Sequence, residues 1–206
     1  MSSTRNYHFP QWILHAAALL PGIILAFYTL FGHPINPIQT LERRSGDIAL
    51  VLLLTSLACT PLRILTRQSL FSRLRRPLGL YAFAYAALHF LLFIGLDYGF
   101  QLKEAIRQLI QNVYLWAGLA ALLILLALAL TSSKRSQMVL KKNWQRLHRL
   151  VYLAGLLVVL HFGLSVKGSF FQLRGQIQWP LIALIVLLVL LAIRLPIFRR
   201  RFSSKK

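Results

Sequence analysis

The sequence predicts an all-α fold, a polytopic membrane protein built as a six-transmembrane-helix bundle. Three observations carry that reading. Residues of the set AVILMFWYC make up 57% of the 206 positions and only 14% are charged, against about 25% charged in a typical soluble domain. The apolar residues are gathered into blocks, each close to the roughly 20 helical residues that cross a hydrocarbon core. A single cysteine, Cys59, leaves no intrachain disulfide framework to hold a small polar fold together. Disorder is excluded by the same apolar content.

Six blocks follow one another along the chain. The first covers 11–31 and is expected to kink at Pro21-Gly22. It carries Arg5 before it and Ala16-Ala17-Ala18 within it, as a leader would, but the apolar run continues to Phe31, so a retained span is expected. The others cover 48–65, 78–96, 113–131, 148–166 and 179–197. The remaining connections are short, and 1–206 reads as a single transmembrane domain. No G-x-G-x-x-G and no Walker loop is present, so the known nicotinamide and ATP motifs are missing.

A formal net charge of +20 would suggest nucleic acid in a soluble protein, so its distribution decides the matter. Arg63, Arg67, Arg73, Arg75 and Arg76 follow the second block; Lys134, Arg135, Lys141, Lys142, Arg146 and Arg149 lie between the fourth and fifth. Adding Arg5 and the C-terminal Arg194, Arg199, Arg200, Arg201, Lys205 and Lys206 puts eighteen basic residues on one side. The other side holds six (Arg43, Arg44, Lys103, Arg107, Lys167 and Arg174) and all four acids: Glu42, Asp47, Asp97 and Glu104. The positive-inside rule then predicts both termini in the cytoplasm. Orientation and contact with anionic membrane lipids account for the charge, and no nucleic-acid partner is expected.

An ionisable residue inside a span is a functional candidate. His89 lies eight residues before Asp97 and His161 six before Lys167, which puts both about 9–12 Å below the same membrane boundary. Two histidines at one depth on different helices suit a six-coordinate heme, whose iron takes an imidazole from each face. Ala82, Ala86 and Gly79 near His89, and Ala154 before His161, would leave a slot for a flat ligand; the same small residues also permit close helix packing with no ligand. His148 lies thirteen residues before His161, about 20 Å lower. It reads equally as a ligand of a second heme or as a headgroup-level histidine. The position on the third block one such spacing below His89 is Arg76, and His15 in the first block is the alternative partner.

Four stretches carry a resemblance: Thr60-Pro-Leu-Arg63, the run from Arg75 to His89, the run from Trp144 to Leu153, and Leu160-His-Phe-Gly-Leu-Ser-Val-Lys167. Together they resemble the MsrQ/YedZ family, heme-binding membrane subunits of the periplasmic methionine sulfoxide reductase system. More distantly they resemble the transmembrane part of ferric reductases. The resemblance implies one or two b-type hemes held by His89, His148 and His161; His15 is a candidate from its position alone. It also implies electrons taken from quinol in a bacterial inner membrane, a periplasmic molybdopterin-dependent reductase as partner, and FMN as an accessory cofactor. Arg75 and Arg76 would then meet heme propionates or a flavin phosphate, or serve only as topological arginines. No catalytic residue is assigned, because the chain would be an electron-transfer subunit. A self-sufficient ferric reductase and a heme-free transporter are the competing classes; the first needs an outer metal-ion site, the second broken helices with polar midplane residues.

Overall fold

The computed structural model describes residues 11–166, 168–169, 174–175 and 177–194. Arg5, Lys167, the end of the sixth block and the C-terminal basic cluster from Arg199 onward lie outside the described residues. Eight α-helices follow one another among those described: α1 (Gln11–Phe31), α2 (Pro37–Thr66), α3 (Leu70–Leu92), α4 (Leu102–Gln111), α5 (Val113–Leu130), α6 (Lys134–Arg149), α7 (Val151–Ser165) and α8 (Gln178–Ala192). Five helical stretches are long and apolar enough to cross a membrane: α1, α2, α3 with the turn that follows it, α5, and α6 running on into α7. The sixth apolar block forms the shorter α8, fifteen residues long.

The helix boundaries follow from local chemistry. Pro37 opens α2, where its missing N–H costs nothing, and the Asn36 side chain caps the Gln39 N–H at 3.0 Å. Arg67 ends α2 in the left-handed conformation, with its N–H bonded to the Arg63 carbonyl. A single π-helical turn, Phe93–Asp97, continues α3. Two connections that read as loops in the sequence are helical. In the first, α4 places Leu102, Ile106 and Ile110 on one exposed face at intervals of four. Lys103, Glu104 and Arg107 alternate with them, and Glu104 meets Arg107 at 3.8 Å. An amphipathic helix of that kind lies in the membrane interface. In the second, α6 is capped by Ser133, breaks at Lys141 (φ 46°, ψ −120°), and passes through Leu150 (φ −62°, ψ −13°) into α7.

The α2–α3 and α5–α7 hairpins pack together, with α1 and α8 added at the flanks. Where they meet, Leu53, Leu57, Ala82, Ala154 and Leu187 are at most 2% exposed. The alanines let backbones approach, which is how helices associate in a solvent as apolar as their own side chains. Large apolar side chains such as Phe27, Leu91, Leu123 and Ile185 point outward instead, as lipid favours and water does not.

Pro21 lacks an N–H and weakens α1 at its middle. There the Tyr85 hydroxyl of α3 takes a hydrogen bond from the Gly22 N–H at 3.1 Å and gives one to the Ala18 carbonyl at 3.0 Å. It thus sits between two groups that a regular helix would pair with each other. Gly22 is required for this, because a Cβ would stand 2.4 Å from the Tyr85 oxygen. Gly22→Ala should therefore destabilise the protein by about 1–3 kcal/mol. Tyr85→Phe removes the clashing atom, so the double variant should lose less than the sum of the single losses in thermal unfolding. Additive losses would show that the two residues do not meet.

Candidate functional site

The third and fifth blocks become α3 and α7, and the structure brings their histidines together. The ring centres of His89 and His161 are 6.2 Å apart, with planes at 76°. Each ring is fixed by a carbonyl of the neighbouring helix: His89 Nδ1 by Glu42 on α2, and His161 Nδ1 by Tyr114 on α5, both at 2.8 Å. A carbonyl only accepts, so in each neutral ring Nδ1 carries the proton and Nε2 keeps a free lone pair. This is the orientation that metal-binding histidines take from their outer partners. A metal–imidazole bond is about 2.0–2.1 Å, and a ring nitrogen lies about 1.1 Å from the ring centre, so trans imidazoles on one metal have centres roughly 6 Å apart. The pair has that spacing.

Glycines make the approach possible. Gly46 and Gly118 lie one turn after Glu42 and Tyr114. A Cβ on Gly46 would stand 3.2 Å from His89 Nδ1, and one on Gly118 only 2.7 Å from His161 Nδ1. Glu42, Gly46 and His89 map onto Tyr114, Gly118 and His161 by one constant shift of 72 residues. The same shift maps the buried Ser45, Ala49 and Leu53 onto the buried Ala117, Ala121 and Leu125, and Ala82 onto Ala154. The two hairpins therefore present one device twice, facing each other. The residue reading found the histidines but missed the two carbonyls and two glycines; aligning the chain with itself would have found them.

The remaining candidates lie elsewhere. His148 does not open α7 but sits in the last turn of α6, stacked on Trp144 with ring centres 4.1 Å apart. Trp144 Nε1 donates to the Thr131 carbonyl at 2.9 Å. Thr131 gives its hydroxyl proton to Ala127 at 2.7 Å, so at 3.2 Å it accepts from His148 Nε2. In this structure His148 closes the end of α5, and ligation through Nε2 would require releasing Thr131. His15 is exposed on α1 and bonded through Nδ1 to the Tyr81 hydroxyl at 2.8 Å. Tyr81 lies eight residues before His89 while His148 lies thirteen before His161; by helix rise, His15 and His148 differ in depth by about 7 Å. The structure does not bring them together. Arg75 is half-buried and Arg76 exposed.

The sequence matches the family described as ferric reductase like transmembrane component over residues 45–159. It is 42% identical over 164 residues to the protein-methionine-sulfoxide reductase heme-binding subunit MsrQ of Xanthomonas axonopodis pv. citri (strain 306), covering 76% of this chain and 75% of that one. The chain belongs to the MsrQ family. Its counterpart in Bordetella pertussis (strain Tohama I) is 41% identical over 171 residues, 83% of this chain and 81% of that one. The counterpart in Herminiimonas arsenicoxydans is 38% identical over 184 residues, 88% and 82% of the two chains. Those relatives are named as heme-binding subunits, and His89 with His161 fits that group: two neutral rings, two free Nε2 atoms, and a bis-imidazole spacing. The two glycine contacts differ by half an ångström, which sets a test. Gly118→Ala must displace His161 and should destabilise the fold by about 1–3 kcal/mol. Gly46→Ala needs only a small shift and should cost less than half as much in thermal unfolding; equal losses would contradict the geometry.

Proposed function

We propose that this membrane protein is a b-type heme electron-transfer subunit, with the bound iron held between His89 and His161. The observation that carries it is the pair of rings whose Nδ1 atoms are both committed to backbone carbonyls, leaving both Nε2 atoms for a metal. A heme bound in this way supplies a one-electron relay with no open coordination position, so oxygen and substrate are kept off the iron. Gly46 and Gly118 let the rings reach their carbonyls, and Ala82 and Ala154 keep the space between hairpins narrow.

The proposed orientation follows from charge. With twelve basic residues at one end and all four acids at the other among the described residues, the positive-inside rule assigns the basic end to the cytoplasm and the histidine pair to the periplasmic side of a bacterial inner membrane. Quinol is the proposed donor and FMN an accessory cofactor. A molybdopterin-dependent periplasmic reductase is the proposed acceptor, where two electrons and two protons convert methionine sulfoxide to methionine and water. His148, beside the basic loop and about 20 Å below His161, is proposed to shape the site where electrons arrive. A self-sufficient ferric reductase remains the alternative, separated by whether quinol reduces the purified protein with or without the periplasmic partner.

His89→Ala or His161→Ala should abolish the low-spin heme spectrum of the purified protein, while His33→Ala, at an exposed turn, should leave it unchanged. A wild-type spectrum in His89→Ala would overturn the pairing. A periplasmic reporter inserted after Gly99 should be active and one fused after Lys206 inactive; the reverse pattern would overturn the orientation.

A further inference from the structure

His15 has no task in the electron relay. It lies exposed on α1, with its Nδ1 2.8 Å from the Tyr81 hydroxyl of α3 and the two rings edge to face. Tyr81 packs against the buried core, whereas Nε2 of His15 has no hydrogen-bond partner among the described residues. Trp12 and Leu19, one turn to either side, are exposed on the same face of α1. Tyr81 precedes His89 by eight residues, about 12 Å of helix, and His89 lies about 9–12 Å below the outer boundary. In a hydrocarbon core about 30 Å thick, His15 then stands about 6–9 Å inside the opposite boundary. An open ring nitrogen at that depth meets no water, and an ionisable residue facing lipid is a functional candidate. The molecules that reach it are those dissolved in the bilayer.

The pair is also joined to the proposed relay. Tyr81, Tyr85 and His89 follow one another at intervals of four on α3, so they form one row along the helix. The first two hold α1: Tyr81 bonds His15, and the Tyr85 hydroxyl bonds Gly22 and Ala18. The row runs from a lipid-exposed ring to the His89–His161 pair, a span that electrons cross through packed protein without a mobile carrier.

We propose that His15 and Tyr81 form the docking site of a hydroquinone dissolved in the cytoplasmic leaflet, its hydroxyl donating to Nε2 of His15. This rests on the quinol reading above and gives it a place on the protein. His148 has its Nε2 engaged by Thr131, whereas His15 keeps Nε2 open to the bilayer. The pair suits both forms of the ligand. With Nδ1–H donating to the Tyr81 oxygen, Nε2 accepts from a hydroquinone hydroxyl; with the Tyr81 hydroxyl donating to Nδ1, Nε2 carries the proton and donates to a quinone carbonyl. Oxidation of one hydroquinone breaks two O–H bonds and yields the quinone, two protons and two electrons. Each proton passes through the His15 ring to water at the cytoplasmic boundary. The electrons pass one at a time to the relay proposed above, which the periplasmic acceptor reoxidises between them.

The full-length, heme-loaded protein and its His15→Ala, His15→Gln, Tyr81→Phe, His148→Ala and His33→Ala variants should be placed in phosphatidylcholine nanodiscs. Each is photolabelled with an azido-ubiquinone, with and without excess decylubiquinone, and the label is mapped by mass spectrometry. Heme per chain and the rates of heme reduction by decylubiquinol, menadiol and dithionite are measured on the same samples. In the wild type, competed label should fall on α1 around His15 or on α3 around Tyr81. His15→Ala should weaken the competition and slow reduction by quinol by about tenfold, the loss of one hydrogen bond, with heme content and dithionite reduction unchanged. His15→Gln keeps a donor and an acceptor and should recover part of the loss; Tyr81→Phe leaves Nε2 in place and should lose less. His33→Ala should match the wild type. A wild type that takes no competed label and is reduced by neither quinol overturns the quinol reading together with the site. Unchanged labelling and quinol reduction in His15→Ala, loss of heme in that variant, or a loss confined to His148→Ala overturns the site and leaves the quinol reading standing.

Discussion

In hydrocarbon no water is available to satisfy a backbone group that its own helix leaves open, and this constraint organises the bundle. The Tyr85 hydroxyl spans the weak point beside Pro21, serving Gly22 and Ala18. Arg194 answers the carbonyl that Pro61 leaves free. Trp144 and His148 close the end of α5 at Thr131. Each contact ties one helix to another at a fixed depth, so the register of the bundle is set by repairs to backbone hydrogen bonding. The apolar surfaces supply close packing but little register of their own, because lipid competes equally for them.

The two hairpins obey a common plan at one end and diverge at the other. Near the acid-bearing end, the shift of 72 residues reproduces carbonyl, glycine and histidine, and continues inward through Ala82 and Ala154. At the basic end it aligns Arg76 with His148, so the symmetry is lost there. A bis-imidazole site needs two equivalent ligands, which a repeated hairpin supplies at once. The basic end has no such requirement. There one hairpin offers arginines and the other a histidine bonded to Thr131, while Arg194, from outside both hairpins, bonds the Leu57 carbonyl.

Much of the fold was legible because the bilayer imposes a length scale on the sequence. The apolar blocks, the depth of His89 and His161 and the charge asymmetry all follow from a hydrocarbon thickness that helix rise converts into residues. What the residues alone concealed is what depends on neighbours. Residues 102–111 look like a charged loop until Leu102, Ile106 and Ile110 are seen to share a face. Gly46 and Gly118 look like ordinary small residues, because their purpose is a distance to a ring on another helix. Arg194 was legible only as one more positive charge; nothing local says that its guanidinium turns back into the bundle. His148 was read with its role open between ligand and interface, and the hydroxyl it bonds, at Thr131, lies seventeen residues away on another helix.

The nature of the histidine partners has a further consequence. Metal-binding imidazoles are commonly oriented by a carboxylate, which makes orientation a property of a replaceable side chain. Here both partners are main-chain carbonyls, Glu42 and Tyr114, whose side chains take no part in the bond. No substitution at either position deletes the acceptor. What the sequence controls instead is the approach of the ring, through the residue one turn later, where a single methyl group on Gly118 would come within 2.7 Å of His161 Nδ1. Tautomer, ring orientation and the availability of Nε2 therefore rest on the absence of two side chains. The constraint is tight at Gly118 and looser at Gly46, where the same methyl group would stand 3.2 Å from His89 Nδ1.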